Sequence, residues 1–198
     1  MSANLYADFK TKLIESGCTR CALCGSRTQL VVDRGNPSAK VMIIGEAPGK
    51  NEDLEGKAFV GRSGRLLDQM LDKLGFDTNL DCLIANVVKC RPPDNRPPRP
   101  EEVGKCLPFL VKQIQLVKPD FILLLGATAL KHLFPEKKGF SMRSQVGNFF
   151  MDVRYPAVQF MVLYHPAFIL RDPRKKPLMA EHLKYFIDRK EKRSLRKS

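Results

Sequence analysis

Three short stretches of this chain, KVMII at 40–44, LIANVV at 83–88 and FILLL at 121–125, are apolar almost without a break. A strand with one wet face alternates apolar and polar side chains. Unbroken apolar runs of this length belong instead to strands covered on both faces, the pattern of a parallel sheet between helical layers. The intervening segments carry helical periodicity. Leu66, Leu67, Met70, Leu71 and Leu74 make one apolar face, with Ser63 expected as N-cap and Gly75 as the stop. Val103, Leu107, Leu110, Val111 and Ile114 make another, opened by Pro100 with Glu101 and Glu102 in the first turn and closed by Pro119. Leu5, Phe9 and Leu13 before Gly17 mark a first helix, an alanine-rich helix reaches Phe134, and a last one runs from about Pro177 to Arg189. With a fourth strand at Phe160–Leu163 and a hairpin region from Gln145 to Tyr155, the expectation is an α/β fold. It is a three-layer α/β/α arrangement about a mostly parallel four-stranded sheet, filling residues 1–188 and leaving 189–198 as a disordered basic tail.

At 43% apolar and 28% charged over 198 residues, the composition suits a folded chain and excludes global disorder. Asp8, Lys10 and Lys12 interrupt the stretch where a signal peptide would be apolar, and no run approaches the roughly 20 residues of a membrane helix. A cytoplasmic protein is expected. The net charge of +13 is clustered, in Lys89, Arg91, Arg96, Arg99 and Lys105 around the stiff loop RPPDNRPPRP, in Arg171–Lys176, and in the tail. Clustered positive charge points to a polyanion, nucleic acid first, with those loop cations as phosphate donors.

In sheets of this class ligands bind beyond the carboxyl ends of the strands, here the loops at Gly45, Asn86 and His165. The first loop, GEAPGKNED, imitates a P-loop and fails: G-x-x-x-x-G-K-[ST] needs one more residue between its glycines and Ser or Thr where Asn51 stands. What it offers is a carboxylate, Glu46, directly past a buried strand, able to place a water or stabilise positive charge, or simply to cap the loop. Phe59, between glycines in GKAFVGRSG, suits either a base-stacking aromatic or the core. His132 and His182 fall on expected helices, whereas His165 in YHPAFILR follows the fourth strand directly. Phe168, Ile169 and Leu170 read as an apolar wedge for a base stack or as the start of a buried helix. Six cysteines without a secretion signal argue for metal over disulfides. Cys18 and Cys21, or Cys21 and Cys24, form C-x-x-C pairs, and Cys90 and Cys106 flank the proline loop; four such thiolates suit either zinc or an iron-sulfur cluster.

Together, CTRC, GEAPGKNED with AFVGRSG, NVVKCRPPDNR, Cys106 and YHPA resemble the thermostable-type, family 4 uracil-DNA glycosylases over Cys18 to about Arg174. The resemblance implies a monomeric enzyme with a 4Fe-4S cluster that flips uracil out of DNA, hydrolyses its N-glycosidic bond and leaves an abasic site. Carried over by position, the cluster ligands are Cys18, Cys21, Cys90 and Cys106, with Cys24 and Cys82 free. Glu46 and His165 are the catalytic residues, and Glu46, Ala47, Pro48, Glu52, Phe59, Asn86 and His165 bind uracil. Arg62, Lys89, Arg91, Arg96, Phe168, Ile169, Leu170 and Arg171 are expected to contact DNA. Lys50 and Asn51 stand where the family often carries acidic residues. No lysine is evidently placed as a Schiff-base nucleophile, so no backbone cutting is expected; the alternative reading is a non-catalytic, metal-stapled nucleic-acid-binding protein.

Overall fold

The computed structural model of the chain describes residues 2–137, 139, 141–142 and 145–195. Its centre is a sheet whose inner strands are those apolar runs: β2 (Val41–Gly45), β3 (Leu83–Asn86), β4 (Phe121–Leu125) and β6 (Gln159–Leu163). They pair in parallel in the order β3-β2-β4-β6. Two residues at each edge extend the sheet beyond the expected four strands: β1 (Arg34–Gly35) lies antiparallel on β3, and β5 (Phe149–Phe150) antiparallel on β6. Neither is legible as a strand because each is too short to show a period, and β5 makes its antiparallel partner of β6 across the wide loop 151–158, beyond the hairpin region expected at Gln145–Tyr155.

Seven α-helices are described: α1 (Ser2–Glu15), α2 (Lys50–Glu55), α3 (Arg62–Asp72), α4 (Pro100–Val117), α5 (Gly126–Leu133), α6 (Pro166–Arg171) and α7 (Lys176–Leu195). The two faces of the sheet bury separate cores, one with α1, α4 and α5, the other with α3, α6 and α7. α4 starts at Pro100 as its sequence requires, and Lys118 in a left-handed conformation ends it one residue before Pro119. α3 starts earlier than Ser63, with Gly61 as N-cap. α2 occupies a segment read as loop; its signal is Glu52 at the third position, whose carboxylate accepts from the Gly49 N–H at 3.1 Å. The proline loop holds only a single 3-10 turn at Pro93–Asn95.

α7 does not end at 189. Arg189 lies 4.8 Å from the Phe149 ring centre and donates to Gln159 at 2.6 Å, while Arg193 covers Phe121 at 5.4 Å and donates to the Ala157 carbonyl at 2.7 Å. These cations seal the far edge of the sheet, so the helix continues to Leu195; 196–198 lie outside the described residues. No helix among the described residues is long and apolar enough to cross a membrane.

Candidate active site

The parallel strands deliver their carboxyl ends to one side of the sheet, and a cavity of about 720 Å³ opens there. Glu46, Ala47, Pro48, Glu52, Phe59, Asn86 and His165 all line it, together with Arg62, Arg96 and Arg171 at its basic mouth. Gly45 pairs in register with Asn86. The chain leaving β3 then crosses back over the tip of β2, Val87 N–H donating to the Gly45 carbonyl at 2.9 Å and Val88 N–H to that of Glu46 at 3.1 Å. That crossing sets Asn86 and Glu46 side by side.

Asn86 is 1% exposed, and neither its Nδ2 nor its Oδ1 has a hydrogen-bond partner. A buried polar group left unpaired costs about 1–3 kcal/mol, which a ligand offering an adjacent acceptor and donor recovers on binding. Gly45 makes this geometry possible, because a Cβ there would stand 2.5 Å from Asn86 Oδ1 and 2.6 Å from the Phe59 ring.

Phe59 resolves both of its sequence readings at once: it is 5% exposed and packed, and it is also a wall of the cavity, its ring centre 5.8 Å from that of His165. Its backbone has φ +55°, a left-handed conformation that costs a bulky residue about 1–3 kcal/mol. Gly64 in α3 permits it, since a Cβ at 64 would fall 1.7 Å from the Phe59 carbonyl oxygen.

Glu46 is half-buried; burial raises its carboxyl above the ordinary value, and a hydrogen bond with Thr128 on the first turn of α5 pulls it partly back. His165 caps α6, its Nδ1 accepting from the Ala167 N–H at 3.1 Å. With Nδ1 so engaged, the neutral ring carries its proton on Nε2. Burial first, and the Arg171 guanidinium second, push the imidazole down to about 4, so it is a neutral donor at pH 7.

Several expected contacts find other tasks. Glu52 is buried, and both of its oxygens are spent on backbone, at Gly49 and, at 2.6 Å, on the Gly61 N–H; it braces the starts of α2 and α3. Lys89 is fully buried and cannot reach a phosphate. Ile169 is 2% exposed in the core under α6, and Phe168 stacks on Tyr164, which leaves Leu170, 39% exposed, as the accessible member of the trio. The wedge reading fails for Ile169 because the segment is helical and its fourth position turns inward. Arg96 is held by Glu102 through bonds of 2.6 and 2.9 Å, while Arg91 lies off the cavity and donates to Asn95. Sequence reasoning missed Thr128 and Gly64; the first lay in an unremarkable alanine-rich helix, and the second shows only through contact with a residue five positions away.

Cys18, Cys21, Cys90 and Cys106 line one small cavity on the flank of the proline loop, and Cys24 does not. Two donors are aimed at its sulfurs: Arg27 Nη1 at Cys90 Sγ and the Lys89 backbone N–H at Cys106 Sγ, each 3.3 Å. Burial pushes the Cys90 thiol up to about 11, with Arg27 acting against it. Among the described residues no three His, Cys, Asp or Glu side chains converge as ligands of one ion would. Cys82 is buried elsewhere, its thiol on the Thr78 carbonyl.

Known proteins resemble this chain over most of its length. The family model of the uracil DNA glycosylase superfamily matches residues 32–188. A type-4 uracil-DNA glycosylase of Sulfurisphaera tokodaii is 39% identical over 171 residues, 84% of this chain and 77% of the relative. One from Thermotoga maritima is 43% identical over 156 residues, covering 78% of this chain and 79% of its own. That of Archaeoglobus fulgidus is 41% identical over 159 residues, 79% of each.

Proposed function

This chain belongs to the uracil DNA glycosylase superfamily, and from that premise we propose that it removes uracil from DNA, as its type-4 relatives are named for doing. The extruded base enters the cavity, its bond to deoxyribose is hydrolysed, and free uracil and an abasic site result. The observation that carries this reading is Asn86: a buried amide, unpaired in the free protein, lining one cavity with an aromatic wall and a neutral histidine. An amide offers a donor and an acceptor side by side, which suits the O4 and N3–H of uracil. Phe59 supplies a face for stacking, worth about 1–3 kcal/mol per base.

Uracil leaves as an anion while the sugar becomes cationic, so the site must place a donor at the base and negative charge or a held water at the sugar. His165, with its proton on Nε2, serves the first task and Glu46 the second. Arg62 and Arg171 at the mouth suit the phosphates flanking an extruded nucleotide. On this reading the protein acts on DNA as a cytoplasmic monomer. A single-uracil oligonucleotide incubated with the protein should give free uracil and an alkali-labile strand that stays intact until heated in base. Strand cutting without alkali would implicate Lys50 at the exposed rim, and no release would leave only the binding-protein reading.

The four cavity-lining cysteines fit a 4Fe-4S cluster. Tetrahedral zinc needs sulfurs about 3.8 Å apart, from Zn–S bonds of about 2.3 Å, whereas a cluster spreads its ligands over a larger body and accepts N–H···S bonds such as those from Arg27 and Lys89. Held by Cys18, Cys21, Cys90 and Cys106, such a cluster would have a structural part, tying the N-terminal arm to the start of the proline loop and to α4. Anaerobically purified protein should be brown with about four irons per chain, and Cys106→Ser should lose the colour. Colourless protein holding one zinc would replace the cluster and leave the fold standing.

A further inference from the structure

We propose that Lys89 is a positioning residue for base recognition: it holds Asn86 by the backbone from inside the protein, so that the side-chain amide is left free for the ligand. Lys89 is fully buried, and its Nζ donates to the Asn86 carbonyl at 2.7 Å and to Gln113 Oε1 at 2.5 Å. Gln113 is fully buried as well, and its Nε2 donates to the Tyr6 hydroxyl at 2.7 Å and to the Val32 carbonyl at 3.2 Å. The Tyr6 hydroxyl in turn donates to Asp33 Oδ2 at 2.6 Å, and Asp33 is 4% exposed. Every amide and hydroxyl in this chain of bonds therefore has only one orientation that satisfies its neighbours. Gln113 cannot flip without setting its NH2 against an ammonium.

A buried ammonium is costly unless its donors are satisfied; here two buried acceptors take them, and the buried Asp33 carboxylate, whose other oxygen pairs with Lys10 at 2.7 Å, lies two side chains away. Such an arrangement tolerates little movement, and both of its ends reach the candidate site. At one end it fixes Asn86. At the other, the Asp33 carbonyl accepts from the N–H of Ala58, the residue before Phe59, at 3.4 Å. The consequence is a division of labour within Asn86: Lys89 holds its carbonyl and its side-chain atoms remain unpartnered. A base-reading amide fixed through its own side chain would have lost the groups it reads with.

The inference rests on Asn86 being the base-reading group. The test compares Lys89→Met, the double variant Lys89→Met/Gln113→Leu, Lys89→Gln and Asn86→Ala, reading Tm, iron content, affinity for undamaged DNA and inhibition by free uracil. Removing both partners of a buried bond with apolar groups of similar shape restores much of the stability that a single change loses. The double variant still leaves the Asn86 and Val32 carbonyls without these donors, so it should regain part of the Tm that Lys89→Met loses and keep its iron and DNA affinity, yet bind free uracil about tenfold more weakly, an amide misplaced by a fraction of an ångström being enough. Lys89→Gln, which keeps a donor on the stem, should recover part of the uracil affinity that Lys89→Met loses. Native uracil affinity in the stable double variant overturns the proposal. So does Lys89→Gln binding uracil no better than Lys89→Met, which decides the matter if the double variant does not fold. Unchanged uracil binding in Asn86→Ala would instead sink the base-reading assignment itself. If Asn86→Ala loses binding while the Lys89 variants keep it, only the link fails.

Discussion

Glu46→Gln should reduce uracil release by about 10²–10⁴-fold, the range for a positioned acid-base group, with little change in Tm because the carboxylate is half-exposed at a strand tip. The pH profile makes the prediction sharper. Glu46 acts ionised, and its carboxyl is raised above 4.5 by burial, so the rate should fall as pH drops through that raised value and recover above it. Burial holds His165 down to about 4, below the Glu46 carboxyl, so the imidazole is still mostly neutral where the limb begins. The acid limb therefore belongs to Glu46 and should persist, at a lower rate, in His165→Ala. Thr128→Val removes the bond that holds the carboxyl down, so its limb should move to higher pH. Single-turnover rates between pH 4 and 8 check all three; a limb that vanishes with His165 would reassign the titration to the histidine.

Gly64→Ala should be nearly as damaging, although residue 64 lies on a helix and its change adds one methyl. That methyl would fall 1.7 Å from the Phe59 carbonyl oxygen, so either α3 or Phe59 must move. Phe59 is the weaker side, already in a left-handed conformation. Overpacking of this kind costs about 1–3 kcal/mol, and at about 2–4 °C per kcal/mol for a chain of this size Tm should fall by several degrees. Uracil release should fall by about 10²-fold, the scale of a misplacement near 1 Å. A double-mutant cycle with Phe59→Ala separates this from general destabilisation. If Gly64 acts through Phe59, the double variant loses little beyond Phe59→Ala alone. Additive losses would mean that Gly64 matters only to the fold.

Much of this was legible because the relevant signals are local. Unbroken apolar runs announce buried parallel strands, and a proline followed by two glutamates announces the start of α4. The rule that ligands gather at strand carboxyl ends then brings Glu46, Asn86 and His165 into one place before any coordinates are known. Where the reading went astray, burial had been inferred from residue type. Lys89 sits among cations in the sequence and reads as a phosphate contact, but its side chain turns inward to a carbonyl and a glutamine 24 positions away. Ile169 was half of a choice between wedge and core that only the direction of α6 could settle.

The sequence by itself determined the layered sheet and the strand tips that carry the polar residues, since each depends on the character of residues close along the chain; which C-x-x-C pair joins Cys90 and Cys106 in one pocket was decided by the fold. Tertiary structure alone decided which polar groups are spent and which are free. Glu52, Lys89 and Glu102 are consumed by backbone, glutamine and arginine partners, while Asn86 is left unpaired. Hydrogen-bond satisfaction in a buried site depends on atoms brought together from distant parts of the chain, and no local pattern records it.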